Sequence, residues 1–163
     1  MKPLDVQRLF ALGLLVPGWV PSEAPVTLAA LCGAGALLGG LSVALDVRPD
    51  ELVGPLCQRL GGAALELRIL EVRASPPELW VRLAKKEERW AVPDIRALIR
   101  ALNQGYRSVA KVAAIALLGE RDDAWQLWCI PKGLLPTLQA EGLLEAENAE
   151  ELSALARGKP PAS

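Results

Sequence analysis

VTLAALCGAGALLGGLSVAL, Val26 to Leu45, is a run of 20 residues without a charge, and the way it folds decides the architecture of the chain. As one continuous helix rising about 1.5 Å per residue, it matches a bilayer hydrocarbon core of about 30 Å. Gly35 and Gly39 stand four residues apart, as do Ala36 and Gly40. Small residues at that spacing let helix backbones approach closely. The run therefore predicts a transmembrane helix whose packing face is Gly35, Gly39, Ala36 and Gly40.

A second apolar stretch, Leu9 to Val20, lies just upstream, and Pro21-Ser22-Glu23-Ala24-Pro25 between the two has turn chemistry. Together they predict a helical hairpin, although Asp5, Arg8 and Pro17-Gly18 make the first arm the poorer span. Lys2 and Arg8 precede the hairpin and Arg48 follows it, while the connecting turn carries only Glu23. The positive-inside bias places both ends on the cytoplasmic side, with Trp19 as an interfacial aromatic on the far side. The expected localisation is a membrane, with the rest of the chain on its cytoplasmic face. A cleaved signal peptide fits less well, because Asp5 falls in what would be its basic leader.

Two other readings compete for the same run. It is also compatible with an unusually apolar core helix of a soluble protein. Alternatively, Val26 to Leu31 is a strand leading into Gly33-x-Gly35-x-x-x-Gly39, a relative of the phosphate-binding glycine fingerprint, with Asp46 or Asp50 as the ribose acid. The second alternative implies a soluble α/β domain that binds a nucleotide or another phosphate ligand through residues 33–39.

Composition narrows the chemistry. The chain has 163 residues, 52% of them hydrophobic, a net charge of −1 and no histidine. The commonest general base and metal ligand is therefore missing, and no acidic or basic tail points to nucleic acid. Cys32, Cys57 and Cys129 are scattered and odd in number, as buried reduced thiols would be, and have no metal-site spacing. Walker-type, EF-hand and nucleophile–base patterns are not found, so no cofactor is expected and the chemistry favours a non-enzymatic role.

After Asp46 the chain carries the pattern of a folded α+β unit. Arg48-Pro49-Asp50-Glu51 starts a short helix that Pro55 interrupts and Gly61-Gly62 ends, with Leu52, Val53, Leu56, Cys57 and Leu60 on its apolar face. Leu65, Leu67 and Ile69 alternate with charges, then Leu70 and Val72 continue one register later, as in a strand with a bulge. Ser75 to Glu78 turns the chain, Leu79, Val81 and Leu83 form the return strand, and the charged run Lys85 to Arg89 reads as a solvated turn. Trp80 and Trp90 are expected to be exposed.

A clear helix follows Pro93-Asp94, with Ile95, Leu98, Ile99 and Leu102 on one side. Arg96 and Arg100, with Arg107 and Lys111 beyond, are candidates for binding an anion, an anionic lipid or an acidic partner. Val109 to Leu118 reads as a central strand buried on both faces. Gly119 to Asp123 makes a turn, and Ala124 to Ile130 returns with Trp125, Leu127 and Cys129 on one face and Trp128 and Ile130 on the other. Helices are expected from Pro131 and over Glu150 to Arg157.

The predicted architecture is thus α+β. Residues 1–47 form the transmembrane hairpin, and residues 48–157 form a small antiparallel or mixed sheet with helices on one face, built from two strand-strand-helix units. Residues 158–163 form a disordered tail. The expected function is a membrane-anchored assembly, scaffold or interaction factor, partnered by a membrane protein, by itself or by anionic lipid.

Overall fold

A computed structural model of the protein describes residues 5–18, 27–48, 51–52, 55–56, 67–74, 77–83, 86–106 and 113–156. The predicted turn at 21–25 with Trp19, the Gly61-Gly62 stop, Val53, Cys57, Leu60, Arg107, Lys111 and the 158–163 tail lie outside these residues.

The apolar run does not form one helix. It divides into α2 (Leu28–Gly33), a turn, and strand β1 (Gly40–Ala44). Thr27 caps α2, its hydroxyl accepting the Ala30 N–H at 3.1 Å. The helix ends because Gly35 takes φ +74, a left-handed conformation that costs other L-residues about 1–2 kcal/mol, and the Ala36 N–H then turns back to the Leu31 carbonyl at 2.9 Å. Gly39, at φ +83, turns the chain again into β1. The glycines that suggested a helix-packing face are the residues that break the helix. Among the described residues no helix is long and apolar enough to cross a membrane, so the transmembrane hairpin, and with it the membrane localisation, is corrected. The apolar side chains are used inside the fold instead: Leu28, Leu31, Cys32, Ala36 and Leu37 are all buried.

The upstream stretch repeats the same local design. Helix α1 (Val6–Ala11) is capped by Asp5, whose Oδ1 accepts the Arg8 N–H at 3.0 Å. Gly13 then matches the φ of Gly35, and the Leu14 N–H returns to the Leu9 carbonyl at 3.1 Å. The two units meet antiparallel at Leu15 and Leu37, where the Val16 N–H donates to the Ala36 carbonyl and the Leu38 N–H to the Leu14 carbonyl, each at 2.8 Å. The two short helix–turn segments are thus joined through an isolated antiparallel bridge.

Among the described residues, 51–52 and 55–56 are helical, and the further elements are β2 (Leu67–Ala74), β3 (Pro77–Leu83), β4 (Lys86–Ala91), α3 (Ile95–Tyr106), β5 (Ala113–Arg121), β6 (Ala124–Pro131), α4 (Leu135–Ala140) and α5 (Ala149–Ala156), with a 3-10 turn before α4. They build two antiparallel three-stranded sheets, β1–β6–β5 and β2–β3–β4. The β2 bulge is where the hydrophobic register slips, between Ile69 and Glu71. Lys86 to Arg89 is not a turn but the edge strand β4, and β5 is an edge strand rather than a central one. β6 is the central strand, and it extends through Pro131 before the 3-10 turn. Strand β1 lay hidden in the run read as a helix.

In the β1–β6–β5 sheet, β5 and β6 carry buried side chains on both faces. Ala114, Ala116, Trp128 and Ile130 pack under α1, α2, α4 and α5, while Ile115, Leu117, Leu127 and Cys129 pack with α3 and with β3 and β4 of the second sheet. Ala116 lies opposite Trp128 in register, where its small side chain leaves room for the indole. The Trp128 Nε1 donates to the Leu38 carbonyl at 2.9 Å, tying the N-terminal units to the central strand. Full burial of each large apolar side chain contributes about 1.5–3 kcal/mol.

Candidate interaction surface

The sheets end in edges, and exposed edge strands are sites where another chain can pair. The outer edge of β5 is closed. Asn103, on α3, accepts the Ile115 N–H through Oδ1 at 2.8 Å and donates through Nδ2 to the Ile115 carbonyl at 3.0 Å. Asn148 accepts the Leu117 N–H at 2.9 Å and donates to the Ile115 carbonyl at 3.0 Å, and the Glu147 N–H donates to the Leu117 carbonyl at 2.8 Å. The outward backbone groups of both residues are thereby satisfied. Glu151 Oε2 accepts from both asparagines at 3.0 Å and locks the arrangement.

Strand β4 is guarded by charge. Lys86, Glu87, Glu88 and Arg89 are exposed along it, and Glu87 pairs with Arg82 of β3 at 2.7 Å. Its one buried side chain is Trp90, expected at the surface but found in the core, with its Nε1 donating to Glu88 at 2.9 Å. Trp80 is half-buried on the other face of this sheet, with the Arg89 guanidinium 5.3 Å above its ring.

Strand β2 carries Arg68, Glu71 and Arg73 and a bulge, but it also shows apolar side chains to solvent. Val72 lies opposite Leu79 in register, on the side facing the core, yet it is 43% exposed, and Leu70 at the bulge is 37% exposed. Both stand well into solvent for large apolar side chains in a strand, and among the described residues no strand pairs with the outer edge of β2. On the outer face Glu71 and Arg73 form an ion pair at 3.1 Å, both half in solvent. The sequence pattern identified the strand. Its position at a sheet edge depends on strand order, which local periodicity does not carry.

The other candidate residues fall elsewhere. Gly35 lies in an exposed turn, Ala36 is buried under the N-terminal units, and Gly40 is the first residue of β1, opposite Trp128. A Cβ on Gly39 would stand 2.5 Å from the Cys129 carbonyl oxygen. The glycine segment leaves a helix and enters a strand, the reverse of the strand–loop–helix order in which helix N–H groups cradle a phosphate.

Arg96 and Arg100 are exposed on α3, across the sheet from Ala36. Arg96 is already engaged, pairing with Glu147 at 3.1 Å and lying 5.1 Å over the Trp125 ring. Among the described residues no cluster of acids and cysteines suited to a metal ion occurs. Compared with known protein families, with curated proteins and with solved structures, the chain finds no match.

Proposed function

We propose that this protein is a non-enzymatic interaction factor that engages its partner by strand addition along the outer edge of β2. The observation that carries this reading is the exposure of Val72 and Leu70 on an edge strand whose outer side pairs with no strand among the described residues. In strand addition, main-chain hydrogen bonds supply affinity and alternate side chains supply specificity. β2 offers both, with an apolar side chain on one face and a charged pair on the other.

The test is a photo-crosslinking residue placed at Glu71 in the full chain, in cells. The reading predicts an adduct with one polypeptide, identified by mass spectrometry, that disappears on adding Val72→Lys and does not form when the crosslinker is moved to Glu87 on β4. No adduct at position 71, or equal capture at both positions, removes it.

A further inference from the structure

The partner chemistry that fits β2 best is β2 itself. Resting on the strand-addition reading above, we propose that two copies of this chain pair antiparallel through β2, about a two-fold axis at Val72, joining two three-stranded sheets into one of six strands.

The register follows from the side chains. An antiparallel pair centred on Val72 sets Val72 against Val72 of the second copy, and Glu71 against Arg73, twice by symmetry. A two-fold axis perpendicular to the sheet keeps the faces, so the exposed valines meet on the core-facing side. The Glu71 and Arg73 side chains, already on one face and 3.1 Å apart within a chain, exchange partners across the axis. Neighbouring registers are poorer. A centre between Leu70 and Glu71 sets Arg68 against Arg73, a like-charge pair, and like charges directly opposite each other destabilise a sheet. A pairing centred on Val72 also covers the two exposed apolar residues of the strand, which an isolated chain leaves wet. β4 offers no comparable apolar contact, since Lys86, Glu87, Glu88 and Arg89 are exposed along it and its Trp90 is buried.

Charge reversal tests this pairing. Glu71→Arg sets arginine against Arg73 of the second copy, and Arg73→Glu sets glutamate against Glu71. Each single variant should weaken self-association about tenfold, since two opposed pairs turn repulsive at once. The double variant Glu71→Arg/Arg73→Glu should recover it. Mixing the two single variants should give a heterodimer, because both cross-strand pairs become complementary again. Sedimentation equilibrium reads the association, and far-UV circular dichroism confirms that each variant is folded.

Recovery in the double variant together with heterodimer formation supports the assignment. A wild-type chain that stays monomeric at its highest soluble concentration overturns it, as does self-association that the charge variants and Val72→Lys leave unchanged. If the chain is monomeric while the crosslinker at position 71 captures a different polypeptide, the homodimer fails and strand addition stands. If that crosslinker captures nothing, both fail.

Discussion

Asn103 pairs with Ile115 as a neighbouring strand would, its carboxamide accepting the Ile115 N–H at 2.8 Å and donating to the Ile115 carbonyl at 3.0 Å. The residue is itself buried, so these bonds form away from water, where an unmade one is expensive. Because α3 supplies this cap, the helix both covers one face of the β1–β6–β5 sheet and closes its β5 edge.

Asn103→Ala should therefore destabilise the protein by about 1–3 kcal/mol, the cost of leaving the buried Ile115 N–H without an acceptor. The Ile115 carbonyl keeps Asn148 as a donor, which limits the loss. Asn103→Ala combined with Asn148→Ala should cost more than the sum of the two single changes, since the two amides share the Ile115 carbonyl and Glu151. Urea unfolding of the four proteins measures this, and strict additivity would show that the two amides act independently.

Gly39 and Gly35 separate the two roles that glycine can play in the apolar run. Both are left-handed, but an added Cβ meets nothing within 4 Å at Gly35 and lies 2.5 Å from the Cys129 carbonyl oxygen at Gly39. Gly35→Ala should cost about 1 kcal/mol from backbone conformation alone. Gly39→Ala should cost at least about 2 kcal/mol, because the β1–β6 pairing must also shift. Unfolding midpoints decide, and equal losses would contradict the close approach at Gly39.

Much of the second half of the fold is legible in the order of its residues. The slip from Ile69 to Leu70 marks a real bulge, Ile95 to Leu102 marks a real helix, and the alternation from Trp125 to Ile130 assigns both faces of β6. The first half misleads for a physical reason. A helix, a turn and a strand built only from uncharged residues present the same run as a membrane span, and length alone then favours the span. Local features oppose the span: Thr27 in a capping position, glycines at 35, 39 and 40, and Leu41 and Val43 alternating with Ser42 and Ala44. The candidate surface was hidden for a different reason. Val72 is one of several apolar residues in alternating strands, and only the sheet order shows that its strand lies at an edge.

Arg96 provides a test of whether a basic helix residue is structural. Its guanidinium lies over Trp125 and pairs with Glu147, which joins α3 to the segment closing the β5 edge. A double-mutant cycle of Arg96→Ala and Trp125→Leu should give a coupling of about 0.5–1 kcal/mol, typical of an exposed cation–π contact. Arg96→Lys should lose part of it, since an ammonium cannot stack as a planar guanidinium does. Zero coupling in urea unfolding would detach the two side chains and return Arg96 to the pool of free surface charge.

Arg8 and Glu141 tie α1 to the end of α4 through a bidentate pair, at 2.6 Å and 3.0 Å. The hydrogen bond from Arg8 holds the Glu141 carboxyl below the ordinary glutamate value of 4.5, against a smaller opposing effect of desolvation. A carboxyl whose pKa is lower when folded adds stability that is fully present above its ordinary value and is lost as pH falls through the lowered one. Glu141→Gln should therefore be less stable than the wild type at neutral pH, and the gap should close below pH 4.5 as wild-type Glu141 takes up its proton. Both groups lie at the surface, so the gap should be small and should shrink in added salt. Thermal midpoints of the two proteins across that range, at low and high salt, check this. A gap that persists unchanged at acid pH would show that Glu141 acts through packing rather than through its charge.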